Sequence, residues 1–378
     1  MNEKKAVIVT PFCEPETGAC TLRVNFFKSS LEEKGFSVKI VSPKKPRVQE
    51  LNKIKRFTTD RDFFSFMWKE KPDLVIGVSP PLMIAFKALV ASKITGAKFI
   101  LDAKEDADFY NPRLDNFLLK IKNKLLLLFR RFTYLFADRL MFLTESDMAE
   151  AIQSYGIEKK KLFMVMNGTD TKVMRRDKKE GARMRKELGV KESETLVVYA
   201  GSIGTEETGE LIDSFKDPIV QEKARLLLLI AFDSTKYGKK EFDVVKEEIN
   251  KSGLGDKIIL RQNIPYVKVY KYFSACEIGI LPWPDYLRTS LPVKLFDYCA
   301  AGLHILAKGP KGSELDKFFS KNEVGNINYS WSEFSQNLKK IIGNKKLFEK
   351  SSVKNRILAE TIFDRDHQKK VFFKTIDI

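Results

Sequence analysis

Short β-branched apolar runs alternate with amphipathic stretches along almost the whole chain. Ala6-Val7-Ile8-Val9-Thr10 reads as a buried strand. A polar loop through Thr17-Gly18-Ala19 follows, and then a helix over 22–34, with Leu22, Phe26, Phe27, Ser30 and Leu31 on one face and Gly35 as its stop. Further strands are expected at 37–41, 74–78, 98–101, 139–144 and 162–166. The pattern restarts after a charged stretch, with strands at 195–200, 226–232, 257–260, 277–281 and 303–307. Continuous apolar strands separated by helices imply parallel sheets covered on both faces. The expected architecture is therefore α/β, with two Rossmann-like doubly wound domains. In such sheets ligands bind at the carboxyl ends of the strands, so two domains place the natural site in a central cleft.

The expected boundaries follow the same pattern. Residues 1–168 form an N-terminal Rossmann-like domain. Residues 169–192, rich in Lys, Arg, Asp and Glu, form a linker that turns helical before Gly189. Residues 193–350 form a C-terminal Rossmann-like domain. Residues 351–378 are a polar helical segment that crosses back onto the first domain.

The chain has 378 residues, 43% hydrophobic and 31% charged, which suits a globular protein with two cores. No run reaches the roughly 18 apolar residues of a membrane span, and the N-terminal apolar run is too short for a signal peptide, so a cytoplasmic location is expected. Cys13, Cys20, Cys276 and Cys299 lack zinc spacing. Cys13 and Cys20 could pair in principle, but free thiols are expected in that compartment. With only His304 and His367, a histidine metal site is not expected, and His304 reads as a hydrogen-bonded strand histidine. The net charge of +17 points to phosphate-bearing partners. No zinc-finger spacing, RNP motif or basic zipper is present, so nucleic acid is not an expected partner.

The most informative segment is Ser290-Leu291-Pro292-Val293-Lys294-Leu295-Phe296-Asp297-Tyr298-Cys299-Ala300-Ala301-Gly302. It lies between two apolar strands, in the order strand, polar turn, short helix, glycine, strand. Such a turn offers a helix N-terminus to an anion. Lysine suits phosphate, and a carboxylate suits vicinal sugar hydroxyls. A plain packing helix would not need Ser-x-Pro-x-Lys at its entrance.

This segment resembles the donor-site signature of retaining glycosyltransferases of the GT-B fold, family 4. The resemblance extends to Asn167-Gly168-Thr169-Asp170, Tyr199-Ala200-Gly201-Ser202, Asn263-Ile264-Pro265-Tyr266, the stretch from Tyr272 to Ile278, and Gly312-Ser313-Glu314. In the first half Gly18, Arg23 and Gly35-Phe36-Ser37-Val38 resemble the family's opening block. The resemblance implies a nucleotide-sugar donor, held by the domain at 193–350, and a glycan or lipid-linked acceptor, met by the domain at 1–168. It assigns Asp297 to the donor ribose and Lys294 to the diphosphate, with the backbone around Val293. Ser290 and Thr289 line the same turn, and Arg288 is a second candidate cation. Gly201 and Ser202 let the first loop of the second domain approach the phosphates, and Gly18 and Arg23 form an acceptor-side or phosphate loop. The departures are Thr289, where many members carry a glutamate, and Ser202 and Thr208, where many carry Arg and Lys.

Leu101-Asp102-Ala103-Lys104-Glu105-Asp106-Ala107-Asp108 follows a strand, so Glu105 or Asp106 could orient the acceptor hydroxyl or take its proton, as an alternative to a solvated acidic loop. Asp106-Ala107-Asp108 also matches the metal-binding Asp-x-Asp of the GT-A fold, but two repeated α/β halves argue against that fold. Neither a metal nor another cofactor is expected. Residues 113–139 alternate Leu, Ile, Phe and Tyr with Lys120, Lys122, Lys124, Arg130 and Arg131. That pattern suits an anionic membrane surface or a domain helix with a basic face. Rival readings are a nucleotide-sugar epimerase on the same fold and a catalytically degenerate sugar-nucleotide-binding scaffold.

Overall fold

The computed structural model describes residues 3–11, 13–14, 19–44, 54–104, 117–201, 205–231 and 236–377. Chain contacts divide it into two compact units, Met1–Asn167 with Gln368–Ile378, and Gly168–His367.

The first unit is built on a seven-stranded sheet. Its strands are β1 (Lys4–Val9), β2 (Phe36–Pro43), β3 (Ile54–Phe57), β4 (Leu74–Val78), β5 (Lys98–Asp102), β6 (Arg139–Phe142) and β7 (Leu162–Met164). They run parallel in the order β3-β2-β1-β4-β5-β6-β7. Alternate residues serve opposite faces. Val7, Val9, Val75, Phe99 and Leu101 pack against the helices Asp60–Glu70 and Leu82–Thr95. Ile8, Ile40, Ile76 and Ile100 pack on the other side with the helix Ala19–Glu33. The strand order reverses direction between β1 and β4, the switch point of a doubly wound sheet.

The second unit repeats the plan with β8 (Thr195–Gly201), β9 (Ala224–Ile230), β10 (Ile258–Gln262), β11 (Ile278–Pro282), β12 (His304–Lys308) and β13 (Gly325–Asn328). The order is β10-β9-β8-β11-β12-β13, again all parallel, with the switch point between β8 and β11.

Three features differ from the sequence reading. Strands β3 and β13 were not expected. Each is a sheet edge of four residues, and Ile-Lys-Arg-Phe and Gly-Asn-Ile-Asn carry too few apolar positions to stand out. Residues 169–192 are not a linker but part of the second unit. Their helix Lys178–Glu187 lies so close to the helix Tyr266–Ser274 that a Cβ on Gly181 would collide with the Ser274 carbonyl. The terminal segment divides at 367/368 rather than at 350. Helix Lys345–Leu358 stays in the second unit, and residues from Gln368 onward join the first. There Phe372 is fully buried and stacks on Phe27 with ring centroids 5.0 Å apart.

Candidate functional site

The eight-residue helix Val293–Ala300 follows β11 at the switch point of the second unit. Pro292 occupies its N-cap without a side-chain hydrogen bond, a position where the fixed φ of proline suits a helix entrance. First-turn amides are the natural anion contacts of a helix. The helix is anchored by its buried face. Leu295, Phe296, Tyr298, Cys299 and Ala300 are all buried. Tyr298 lies against Gly279 of β11 so closely that a Cβ there would come within 2.6 Å of the ring. The Tyr298 hydroxyl accepts from the Ala200 amide at 3.0 Å and so ties the helix to β8.

That anchoring aims Lys294 at the carboxyl end of β8. Its Nζ lies 3.9 Å from the centroid of the Tyr199 ring, a cation–π distance. It also lies against Gly201, where a Cβ would sit 2.8 Å from Nζ. Gly201 has φ of 143°, a conformation glycine adopts readily, so this residue serves both the turn and the close approach. Lys294 is thereby fixed beside the last residue of the central strand rather than waving in solvent.

Asp297 lies one turn further on and is buried. Its Oδ1 accepts hydrogen bonds from Thr169 Oγ1 at 2.6 Å and from Tyr266 OH at 2.9 Å. Burial raises its carboxyl to about 6, against the opposing pull of those two hydroxyls and of Arg365. Burial also pushes the Tyr266 phenol upward, reinforced by the Asp297 carboxylate. Thr169 is itself fixed through backbone bonds to Phe363 and Arg365. The family resemblance assigns Asp297 to a ribose. The structure gives one of its oxygens to two protein hydroxyls, because a buried carboxylate needs donors.

The turn before the helix holds the remaining candidates. Thr289, Ser290 and Val293 are half-buried, and Arg288 is exposed. The Arg288 guanidinium donates to the Lys311 carbonyl at 2.6 Å, and its own carbonyl accepts from the Glu314 amide at 2.8 Å. The turn is thus stapled to the Gly312-Ser313-Glu314 block. Sequence reasoning missed Lys308, which ends β12 opposite Pro282 and is buried, with Nζ 2.9 Å from Asp285 Oδ1. A lysine closing an apolar strand was the available signal. Tyr199, Thr169 and Tyr266 lie within the blocks that resemble the family, which by themselves mark no role for them.

In the first unit Arg23, expected in an acceptor-side or phosphate loop, lies on the helix Ala19–Glu33. It is 3% exposed and grips Asp102 at the end of β5, with Nε 3.0 Å from both carboxylate oxygens and Nη2 2.6 Å from Oδ1. Its guanidinium lies over the Phe27 ring at 4.8 Å, and Lys104 Nζ is 3.7 Å from the same carboxylate. Asp102 is fully buried and requires this charge, which is why Arg23 turns inward. Gly18, Glu105, Asp106 and Ser202 lie outside the described residues, as does the side chain of Thr208.

All four cysteines are free thiols. His304 Nδ1 meets Ser351 Oγ at 2.9 Å and Nε2 meets Asn326 Oδ1 at 2.8 Å, a satisfied buried histidine whose pKa burial lowers. Among the described residues no cluster of His, Cys, Asp or Glu could hold a metal ion, and no helix is long and apolar enough to cross a membrane.

No protein-family model and no curated protein sequence matches the chain. Solved structures do match over its full length. A sucrose-phosphate synthase from Thermosynechococcus elongatus superposes with a TM-score of 0.72 at 13% identity, covering 98% of each chain. The Anabaena protein HepE, solved with UDP and glucose, gives 0.72 at 12% identity over 99% of each chain. WaaG, a glycosyltransferase involved in lipopolysaccharide biosynthesis, gives 0.69 at 15% identity over 99% of this chain and 100% of its own. The fold is that of GT-B glycosyltransferases, two parallel-sheet α/β domains in one chain.

Proposed function

We propose that the protein is a family 4-type glycosyltransferase. It moves a sugar from a nucleotide diphosphate sugar to a glycan or lipid-linked acceptor, with retention at the anomeric carbon. The observation that carries this reading is the placement of Lys294. One ammonium group is held at the carboxyl end of β8, beside a glycine and at the head of a helix, where a diphosphate would meet both the charge and the amides. HepE, which shares the fold, was solved with UDP-glucose, and a uridine donor is the first to test.

In the proposed reaction the bond from the anomeric carbon to the diphosphate oxygen breaks and a bond to the acceptor oxygen forms. The acceptor proton passes to the leaving phosphate or to Glu105 or Asp106. The main demand on the protein is to stabilise the charge that develops on the leaving diphosphate. Lys294 and the amides around Val293 are suited to that, so activity should survive removal of divalent ions by chelation.

Two observations favour a second reading, nucleotide-sugar binding without transfer. Asp297 spends Oδ1 on Thr169 and Tyr266, and Thr289 replaces a charged group of the family pattern. A screen of UDP-, GDP- and ADP-sugars separates the readings. Transfer predicts a sugar-bearing product by mass, or slow donor hydrolysis, that is lost in Lys294→Ala. Thermal stabilisation by a nucleotide without turnover would support the binding reading, and no response to any donor would sink both.

A further inference from the structure

The helix Phe117–Phe136 carries two apolar faces, and only one of them is used by the core. On the inner face Leu126, Thr133 and Tyr134 are buried, and Phe129 meets Phe86 of the helix Leu82–Thr95 edge-on at 4.8 Å. About half a turn around, Ile121, Leu125, Leu128, Phe132 and Leu135 recur at spacings of four and three residues. That spacing lines them up as one stripe along the outer side. All five, with Phe136 at its end, are between 38% and 56% exposed. Phe132 and Phe136 stack on each other at 6.0 Å in the open. A helix that only covered a sheet would be polar here.

Charge narrows the choice of partner for the stripe. The twenty residues of the helix contain no acid. Lys124 and Arg131 are exposed and seven residues apart, so they form a row along one edge of the stripe. Arg130, on the inner side, is instead engaged by Glu150 and Tyr134. The neighbouring helices of the same layer add exposed Trp68 and Ile94. A second copy docking through this face would bring two like-charged rows together, on chains that each carry +17. An anionic lipid surface accepts both features, since the stripe enters the acyl boundary while the cations meet the headgroups.

We infer that the stripe Ile121-Leu125-Leu128-Phe132-Leu135 is a membrane-docking face for bilayers rich in anionic lipid. This stands apart from the donor chemistry. It is compatible with a lipid-linked acceptor, but its test reads binding and not turnover.

The experiment is co-sedimentation of the full chain with vesicles of equimolar phosphatidylcholine and phosphatidylglycerol, beside vesicles of phosphatidylcholine alone. Partitioning onto the anionic vesicles should be stronger by on the order of tenfold, and should weaken as salt rises toward about 0.5 M. The Leu125→Glu, Leu128→Glu double variant should lose binding while its thermal unfolding stays unchanged, because both side chains lie outside the core. Lys124→Glu with Arg131→Glu should abolish the preference for anionic lipid. The inference is overturned if the parent protein stays in the supernatant with anionic vesicles, or if the leucine variant sediments as before. It is equally overturned if ultracentrifugation finds a dimer that the leucine variant breaks, with no vesicle binding, which would assign the stripe to a second copy.

Discussion

Replacing Asp297 with asparagine isolates the energetics of the helix Val293–Ala300. Asparagine keeps an oxygen where Oδ1 accepts from Thr169 and Tyr266 at 2.6 and 2.9 Å, but it cannot ionise. In the native protein burial raises the Asp297 carboxyl from 3.8 to about 6. The sign follows directly. Well below pH 3.8 the group is neutral in folded and unfolded chains alike. As pH rises the unfolded chain releases its proton first, so the folded chain holds more protons and loses stability until its own carboxyl has titrated. A displacement of roughly two pH units corresponds to about 3 kcal/mol, and the side chain is too buried for solvent to screen much of it. Urea unfolding of both proteins from about pH 4 to about pH 7.5 measures this, because the other carboxylates are common to both and cancel. The native protein should lose about 2–3 kcal/mol relative to Asp297→Asn across that range. Any constant cost of the asparagine amide shifts the whole curve and leaves the slope alone. A flat difference would refute the reasoning, and a native protein that gains on the variant would mean the two hydroxyls outweigh burial.

Two further substitutions test the supports of the sheets. Arg23→Met should destabilise the first unit by about 2–4 kcal/mol in urea unfolding, because it takes the guanidinium and its hydrogen bonds from a fully buried Asp102 and leaves Lys104, 3.7 Å away, to face the charge; a loss below about 1 kcal/mol would place that carboxylate in water. Gly279→Ala puts a Cβ within 2.6 Å of the Tyr298 ring and should cost about 1–3 kcal/mol, with a lowered melting temperature, whereas an unchanged melt would show that the helix Val293–Ala300 can shift freely.

The core strands were legible because each is a short, nearly continuous apolar run, as Ala6–Val9 and Ile278–Leu281 are, and a fully covered parallel sheet requires that. The turn and helix around Lys294 were legible for a local reason, since Ser-x-Pro-x-Lys and the following acid lie within eight residues. The partners of that acid were not. Thr169 lies 128 positions from Asp297 and Tyr266 lies 31, and no periodicity joins residues brought together only by the fold. The partner of Arg23 was hidden for the same reason, its counter-ion Asp102 being 79 positions away. The exposed stripe on Phe117–Phe136 lay between these cases. Its apolar and basic content was visible, but only the fold shows which face the core uses.

The central claim is that Lys294, held between Tyr199 and Gly201, receives the diphosphate of a nucleotide sugar. Calorimetric titration of UDP-glucose, GDP-mannose and ADP-glucose into the native protein and Lys294→Ala tests it most directly. The account predicts that at least one donor binds the native protein, and that the variant, with an unchanged melting temperature, binds it weaker by about ten- to a hundredfold, the loss of one charge-assisted contact worth about 1.5–3 kcal/mol. Equal affinity in the two proteins would contradict it.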